Sequence, residues 1–333
     1  MSRPGKEWLA GYLYYAEPWE DFLIRAVKPF VDSVFENTLA EQFFFIRYWE
    51  RGAHIRLRFW GESDRLQRQL KPRMNAFFYD FFKKHPSERQ EPVELKDLPE
   101  GRQWFDNNSL QFIPYEPEVP RYGGPVGILI AERQFEISSG AVLAVIGESG
   151  NWDYERALGA AIQLHLGFAF ALSMDLNEAA AFFSRIFTIW FGRSYGYTPG
   201  LTTDEIDERR DLTLKAFAEN FEGQKTVLVP FHQTLWNALN EGVVFEQEWL
   251  NQWVRGMGGI GRELRLAQEA KGLEFPEWFR PSPDLDVPVS RQYLWSILES
   301  YVHMTNNRLG ILNRDEAYLG YLIRQSLEAI KKS

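Results

Sequence analysis

The sequence predicts an α+β protein: an N-terminal antiparallel β-sheet with packed helices, followed by a mainly helical C-terminal half. Three observations carry this expectation. Apolar or alternating runs with strand character fall early, at Trp8 to Tyr15, Gln42 to Trp49, His54 to Trp60 and Ser109 to Tyr115. Helical spacing separates them, with Phe22, Leu23, Ala26, Val27, Phe30, Val31 and Val34 on one stripe and an amphipathic segment at Ser63 to Lys84. From Gly127 onward the pattern is helical.

The elements follow in order. Arg51-Gly52-Ala53 suits a hairpin between the second and third strands, so the chain begins βαββα. Ile128 to Ile146, Tyr154 to Leu172 and Asn177 to Trp190 read as helices, followed by a Gly/Tyr/Pro loop at Gly192 to Leu201. Thr203 and Asp204 are expected to cap the next helix, whose acidic first turn suits the macrodipole. Phe245 to Ala270 is helical, with Gly256-Met257-Gly258-Gly259-Ile260-Gly261 expected as a break within it. Lys271 to Pro288 contains four prolines and reads as a linker or an ordered crossover loop. Helices at Val289 to Leu309 and Arg314 to Ile330 close the chain. The whole, residues 1–333, reads as a single domain with a β-rich part to about residue 126 and a helical part beyond, without repeats or low-complexity segments.

Composition narrows the chemistry. A net charge of −9 and a pI near 5.3 argue against a phosphate-binding surface and hence against direct nucleic-acid contact. With no cysteine, disulfides, thiol nucleophiles and cysteine metal sites are excluded. Aromatic residues make up 16%, with 12 Trp and 26 Phe, which points to aromatic cores or an aromatic groove. The N-terminus lacks an apolar signal core and no run is long enough to span a bilayer, so a cytoplasmic protein without membrane insertion is expected. No HExxH, GxGxxG, Walker A or GxSxG motif occurs, and the acidic run Thr203 to Asp211 has no metal-ligand pattern and reads as a solvated helix face. No metal or organic cofactor is expected.

Three segments can carry chemistry. Tyr115-Glu116-Pro117-Glu118-Val119-Pro120-Arg121-Tyr122-Gly123-Gly124 cannot be a regular element, because its prolines fix φ and its glycines open conformations closed to other residues. It presents Glu118 and Arg121 on a stiff loop, as a binding site does, or as a surface turn with an incidental ion pair would. In His54-Ile55-Arg56-Leu57-Arg58-Phe59, strand alternation puts His54, Arg56 and Arg58 on one face, where two guanidiniums can grip a carboxylate or an enolate oxygen; a solvated sheet face has the same pattern. In Tyr301-Val302-His303-Met304-Thr305-Asn306-Asn307-Arg308, His303 lies opposite the apolar stripe, beside Ser296, Glu299, Ser300 and Asn307, and so faces either solvent or a polar site.

Taken in order, HIRLRF, YEPEVPRYGG with the following Ala131-Glu132-Arg133-Gln134-Phe135, and HMTNNRLG resemble the lantibiotic dehydratase C-terminal domain, also called the thiopeptide-type bacteriocin biosynthesis family; Phe44-Phe45-Ile46-Arg47-Tyr48 fits its opening strand. The resemblance runs from about Trp8 to Leu327. It implies elimination of glutamate from glutamylated Ser or Thr of a ribosomal precursor peptide, giving dehydroalanine or dehydrobutyrine. The glutamylation would come from a separate glutamyl-tRNA-dependent partner, since 333 residues leave no room for the glutamylation domain of fused dehydratases. The elimination residues it implies are Arg56, Arg58, Glu118, Arg121 and His303, with His54, Tyr122 and Asn307 assigned to substrate contact. His303 would transfer the proton, the arginines would stabilise an enolate and hold glutamate, and Glu118 would orient Arg121. A cyclase partner and a homodimer are compatible with the resemblance. Two alternatives stand beside it: a pyridine synthase joining two dehydroalanines, and a non-catalytic peptide-binding subunit.

Overall fold

In the computed structural model, which describes residues 5–89, 101–148 and 150–332, the chain divides into two compact units. The first comprises Met1–Glu118 and Phe135–Trp152, the second Val119–Gln134 and Asp153–Ser333.

The first unit is built on strands β1 (Lys6–Tyr14), β2 (Gln42–Tyr48), β3 (His54–Glu62) and β4 (Ser109–Phe112), with helix α1 over residues 20–36 and α2 over residues 63–84. The sheet order is β2-β3-β1-β4 with every neighbouring pair antiparallel. This βαββαβ order, with β1 and β3 in the centre, is the ferredoxin-like arrangement. The sequence pattern showed its elements but not the strand order. Strand alternation sends Ile55, Leu57 and Phe59 to one face, level with Leu13, Gly11 and Leu9 of β1. There they meet the helices: Phe59 packs edge-on to Phe30 of α1, which also contacts Phe78 of α2. Gly11 leaves room for the Met74 side chain, since a Cβ there would lie 2.3 Å from Met74 Cε.

Both helices contain a π turn, at Leu23–Val27 and at Leu66–Leu70, and each is followed by a Lys-Pro pair. Pro29 and Pro72 lack the N–H that would close an α turn, and the wider turn gives the ring room against the preceding carbonyl. The edge strand β2 does not lie bare: the Phe45 N–H donates to Ser139 Oγ at 3.1 Å, and Phe135 packs on Phe44. Ser139 and Phe135 belong to α3 (Gly124–Glu148), within which the boundary between the units falls.

The second unit holds α4 (Tyr154–Ala171), α5 (Leu176–Tyr195), α6 (Thr203–Asn240), α7 (Glu248–Glu269), α8 (Val289–Leu309) and α9 (Asn313–Ile330). Asp153 and Asp175 cap α4 and α5 by accepting from the N–H three residues on. Three details differ from the sequence expectation. The cap of α6 is Thr202, one residue earlier, in a capping box with Glu205. The helix α5 runs through Gly192 to Tyr195 before the loop starts. The glycine run at 256–261 does not break α7, which is continuous. Gly261 has a packing reason, since a Cβ there would come within 2.8 Å of Leu172 at the end of α4.

The proline-containing segment between α7 and α8 is an ordered loop. Gln292 pins it, accepting from the Ser282 N–H and donating to the Ser282 and Val287 carbonyls, while Phe279 is buried. Among the described residues no helix is long and apolar enough to cross a membrane, and no group of three or more His, Asp or Glu is placed to hold a metal.

Candidate functional site

Five of the predicted residues line two clefts, one in each unit: Arg56, Arg58 and Glu118 in the first, Arg121 and His303 in the second. In the first unit Arg56 and Arg58 share a sheet face with Tyr12, Tyr14, Phe44 and Tyr48. They line a cleft of about 460 Å³ with Glu50, Arg51, Glu116 and Glu118.

Arg56 is held from three sides. Its guanidinium lies over the Tyr48 ring (3.5 Å) and the Tyr12 ring (4.6 Å), and its Nη2 donates to Glu50 at 3.2 Å. Its Nε donates to His54 Nε2 at 3.1 Å, which fixes the histidine tautomer: Nδ1 carries the proton and donates to the Gly52 carbonyl at 2.7 Å. His54 is fully buried and stacked on Tyr12. Burial pushes its pKa down to about 4, so it stays neutral at physiological pH. The structure therefore gives His54 no surface for a ligand; its Nε2 is taken by Arg56.

Arg58 is 5% exposed and lies between two rings, 4.5 Å from the centre of Tyr115 and 5.0 Å from that of Phe44. Among the described residues no carboxylate pairs with it; the groups that favour its charge are the phenols of Tyr12 and Tyr115. Burial lowers its pKa, and its Nε has no partner among the described residues. A buried guanidinium without a carboxylate beside it costs stability.

The unit boundary lies within the proline loop, so Glu118 belongs to the first unit and Arg121 to the second. Residues Val119–Tyr122 form one 3₁₀ turn, a short regular element that the prolines had argued against. Gly123 and Gly124 have φ of 92° and 80°, the left-handed region their type permits. The turn packs on α8: a Cβ on Gly123 would meet Ile297, and the Gly123 carbonyl accepts from the Glu274 N–H at 3.0 Å.

That packing delivers Arg121 to the second cleft, about 440 Å³, lined by Trp190, Arg193, Trp278, Glu299, Ser300 and His303 among others. Arg121 Nε donates to Ser300 Oγ at 3.2 Å. Tyr122 is buried, stacked on Tyr301 and under the Arg121 guanidinium, so it supports the arginine from behind. His303 faces a polar site, not bulk solvent. Its ring stacks on Trp190, and Nδ1 lies 2.7 Å from Glu316 Oε1, which leaves Nε2 as the nitrogen available in the cleft. Asn307 is partly buried one helical turn beyond His303.

One carboxyl, Glu299, lines this cleft and a second, Glu316, is buried behind His303. Glu299 pairs with Arg185 at 3.1 Å, yet burial outweighs the nearby Arg185, Arg193 and Arg121 and its pKa is raised. Glu316 is also raised by burial, against hydrogen bonds from His303 and Asn306. The cleft thus combines an imidazole fixed at one nitrogen with the guanidiniums of Arg121 and Arg193, a set suited to proton transfer beside an anion. Sequence reasoning missed Trp190, Arg193 and Glu316. Trp190 reads as core and Arg193 as loop, while Glu316 in a first turn reads as dipole complement.

The family described as lantibiotic biosynthesis dehydratase C-term matches residues 8–327. No curated protein matches the chain. Among solved structures, the pyridine synthase TbtD from thiomuracin biosynthesis aligns with a TM-score of 0.72 at 17% identity, over 98% of this chain and 99% of TbtD. TsrL aligns with a TM-score of 0.60 at 20% identity, over 98% of this chain and 96% of TsrL. The tRNA-dependent lantibiotic dehydratase MibB from Microbispora sp. 107891 aligns with a TM-score of 0.59 at 21% identity, over all of this chain and 29% of MibB. At these identities the structural likeness is one of fold. The family match covers nearly the whole sequence: the chain belongs to the lantibiotic biosynthesis dehydratase C-terminal family.

Proposed function

We propose that this protein eliminates glutamate from glutamylated Ser or Thr residues of a ribosomally made precursor peptide, leaving dehydroalanine or dehydrobutyrine. The glutamyl ester would be supplied by a glutamyl-tRNA-dependent glutamylating partner. The observation that carries the proposal is His303: an imidazole stacked on Trp190, anchored at Nδ1 by Glu316, beside Arg121 and Arg193.

The reaction removes a proton from Cα and expels a carboxylate from Cβ. His303 Nε2 takes the Cα proton, which is acidified by the adjacent amide carbonyl. Arg121 supplies fixed positive charge where the enolate oxygen develops, and Arg193 a second cation for the departing glutamate. The Cβ–O bond breaks with its electron pair on glutamate as the Cα=Cβ bond forms. Arg56 and Arg58 provide the anion-binding capacity of their own cleft, with Glu116 and Glu118 at its rim.

A second reading is favoured by one observation, the end-to-end fold likeness to TbtD, described as a pyridine synthase. In that reading the substrate is a peptide already carrying two dehydroalanines, which are joined in a six-membered ring.

Two synthetic peptides separate the readings. One bears a glutamyl-serine ester, the other two dehydroalanines, and each is incubated with the purified protein and weighed by mass spectrometry. Loss of glutamate from the first is expected. An unchanged first peptide that is demonstrably bound would overturn the proposal, and cyclisation of the second would replace it.

A further inference from the structure

Behind His303 runs a buried chain of hydrogen bonds. Glu316 is 1% exposed; its Oε1 meets His303 Nδ1 at 2.7 Å and its Oε2 accepts from Asn306 Nδ2 at 3.0 Å. Asn306 is equally buried, and its Oδ1 lies 2.8 Å from Nε2 of the buried His165 on α4.

Hydrogen-bond chemistry gives this chain a direction. With Glu316 ionised, the form that its hydrogen bonds with His303 and Asn306 favour against burial, its carboxylate only accepts. Asn306 must therefore turn its NH₂ towards Glu316 and its carbonyl towards His165, which requires a proton on His165 Nε2. Burial pushes His165 down to about 4, so it is neutral and that Nε2 proton is its only ring proton. At the other end the carboxylate requires a proton on His303 Nδ1. The Nε2 lone pair of His303 is then the one presented in the cleft.

We infer that Glu316 is the positioning residue of the proton-transfer step, selecting the Nδ1–H tautomer of His303, and that Asn306 and His165 fix the orientation of its carboxylate. This rests on the elimination reading for its role in turnover. When His303 Nε2 takes the Cα proton, the imidazolium keeps its Nδ1–H on Glu316, so the positive charge forms against a carboxylate already in place. The electron pair of the Cα–H bond becomes the Cα=Cβ bond, and the Cβ–O pair leaves with glutamate.

The direction of the chain supplies an unusual test. In Glu316→Gln the side chain keeps its volume. Because Asn306 still presents its NH₂, the new amide must offer its oxygen to Asn306 and its own NH₂ to His303 Nδ1. Nδ1 becomes an acceptor, and the ring proton moves to Nε2. Adding Asn306→Asp reverses this: an aspartate accepts from both His165 and the Gln amide, which turns the amide oxygen back to His303 Nδ1–H. Nitrogen-15 NMR of labelled protein, with His303→Gln to assign the signal, should show Nδ1–H in the wild type, Nε2–H in Glu316→Gln, and Nδ1–H again in the double variant. On the glutamyl-serine peptide, Glu316→Gln should lower kcat by about 10²-fold with KM changed by less than about twofold, and the double variant should recover most of it.

An Nε2–H tautomer in the wild type overturns the inference. So does a Glu316→Gln protein with unchanged tautomer and kcat, or a folded double variant no better than the single one. The expected tautomers without any glutamate release would overturn the elimination reading and leave the polarity of the chain established.

Discussion

The His303 imidazole lies on the Trp190 indole, ring centroids 4.5 Å apart and planes inclined by 27°. The Arg193 guanidinium carbon lies 4.9 Å from the centre of the same indole. One aromatic plate thus sets the position of the proposed proton-transfer group and of a neighbouring cation. Such contacts are worth about 0.5–1.5 kcal/mol beyond burial.

Trp190→Phe preserves a plate and should keep the elimination rate within a few-fold. Trp190→Leu removes it and should lower kcat by about tenfold, the equivalent of roughly 1.4 kcal/mol in the barrier. Rates on a glutamyl-serine peptide and thermal melts of both variants check this. Equal rates for Phe and Leu would remove the plate from the site.

Arg58 offers a separation of stability from function. Its guanidinium is buried between Phe44 and Tyr115 without a carboxylate among the described residues. Arg58→Met keeps an apolar stem of similar length and removes the charge. Stability should hold or rise, by up to about 2 kcal/mol, because desolvation of the charge is relieved. Turnover of the glutamylated peptide should fall by at least tenfold. A variant that unfolds more easily while retaining full turnover would make Arg58 a structural residue.

Three buried histidines predict acid sensitivity. His54, His165 and His232 are each pushed down by burial to about 4. Their unfolded forms bind protons below about pH 6.5 whereas the folded forms do not, so stability is full above that pH and is lost as pH falls towards 4. Each group contributes about 3 kcal/mol to that loss. Glu136, raised by burial to about 7, acts in the opposite sense over much of the same range, as do Glu299 and Glu316, which burial also raises. Urea melts between pH 7.5 and 4.5 should show a net loss of stability, smaller than the histidines alone would give. In His232, fully buried with neither ring nitrogen partnered among the described residues, a leucine should remove about a third of the histidine contribution and raise stability at pH 5. A flat profile would refute the account.

Much of the fold was legible because it follows from period. Ile55, Leu57 and Phe59 alternate, so β3 and its core face were readable, as were Arg56 and Arg58 on the opposite face. The α8 span Val289–Leu309 was read with the observed bounds, and its polar face carrying His303 followed from the 3.6-residue repeat. Gly261 was misread as a break because propensity penalises glycine in a helix, whereas the contact with Leu172 that favours it lies about 90 positions away in sequence.

What the sequence alone determined was which side chains share a strand or helix face, since local backbone geometry dictates that. What only the tertiary structure decided was which faces meet. Glu316 next to His303, Trp190 beneath it and Tyr115 over Arg58 are contacts between separate elements. No periodicity encodes them, because they arise from how buried surfaces pack and from the need of each buried polar group for a partner.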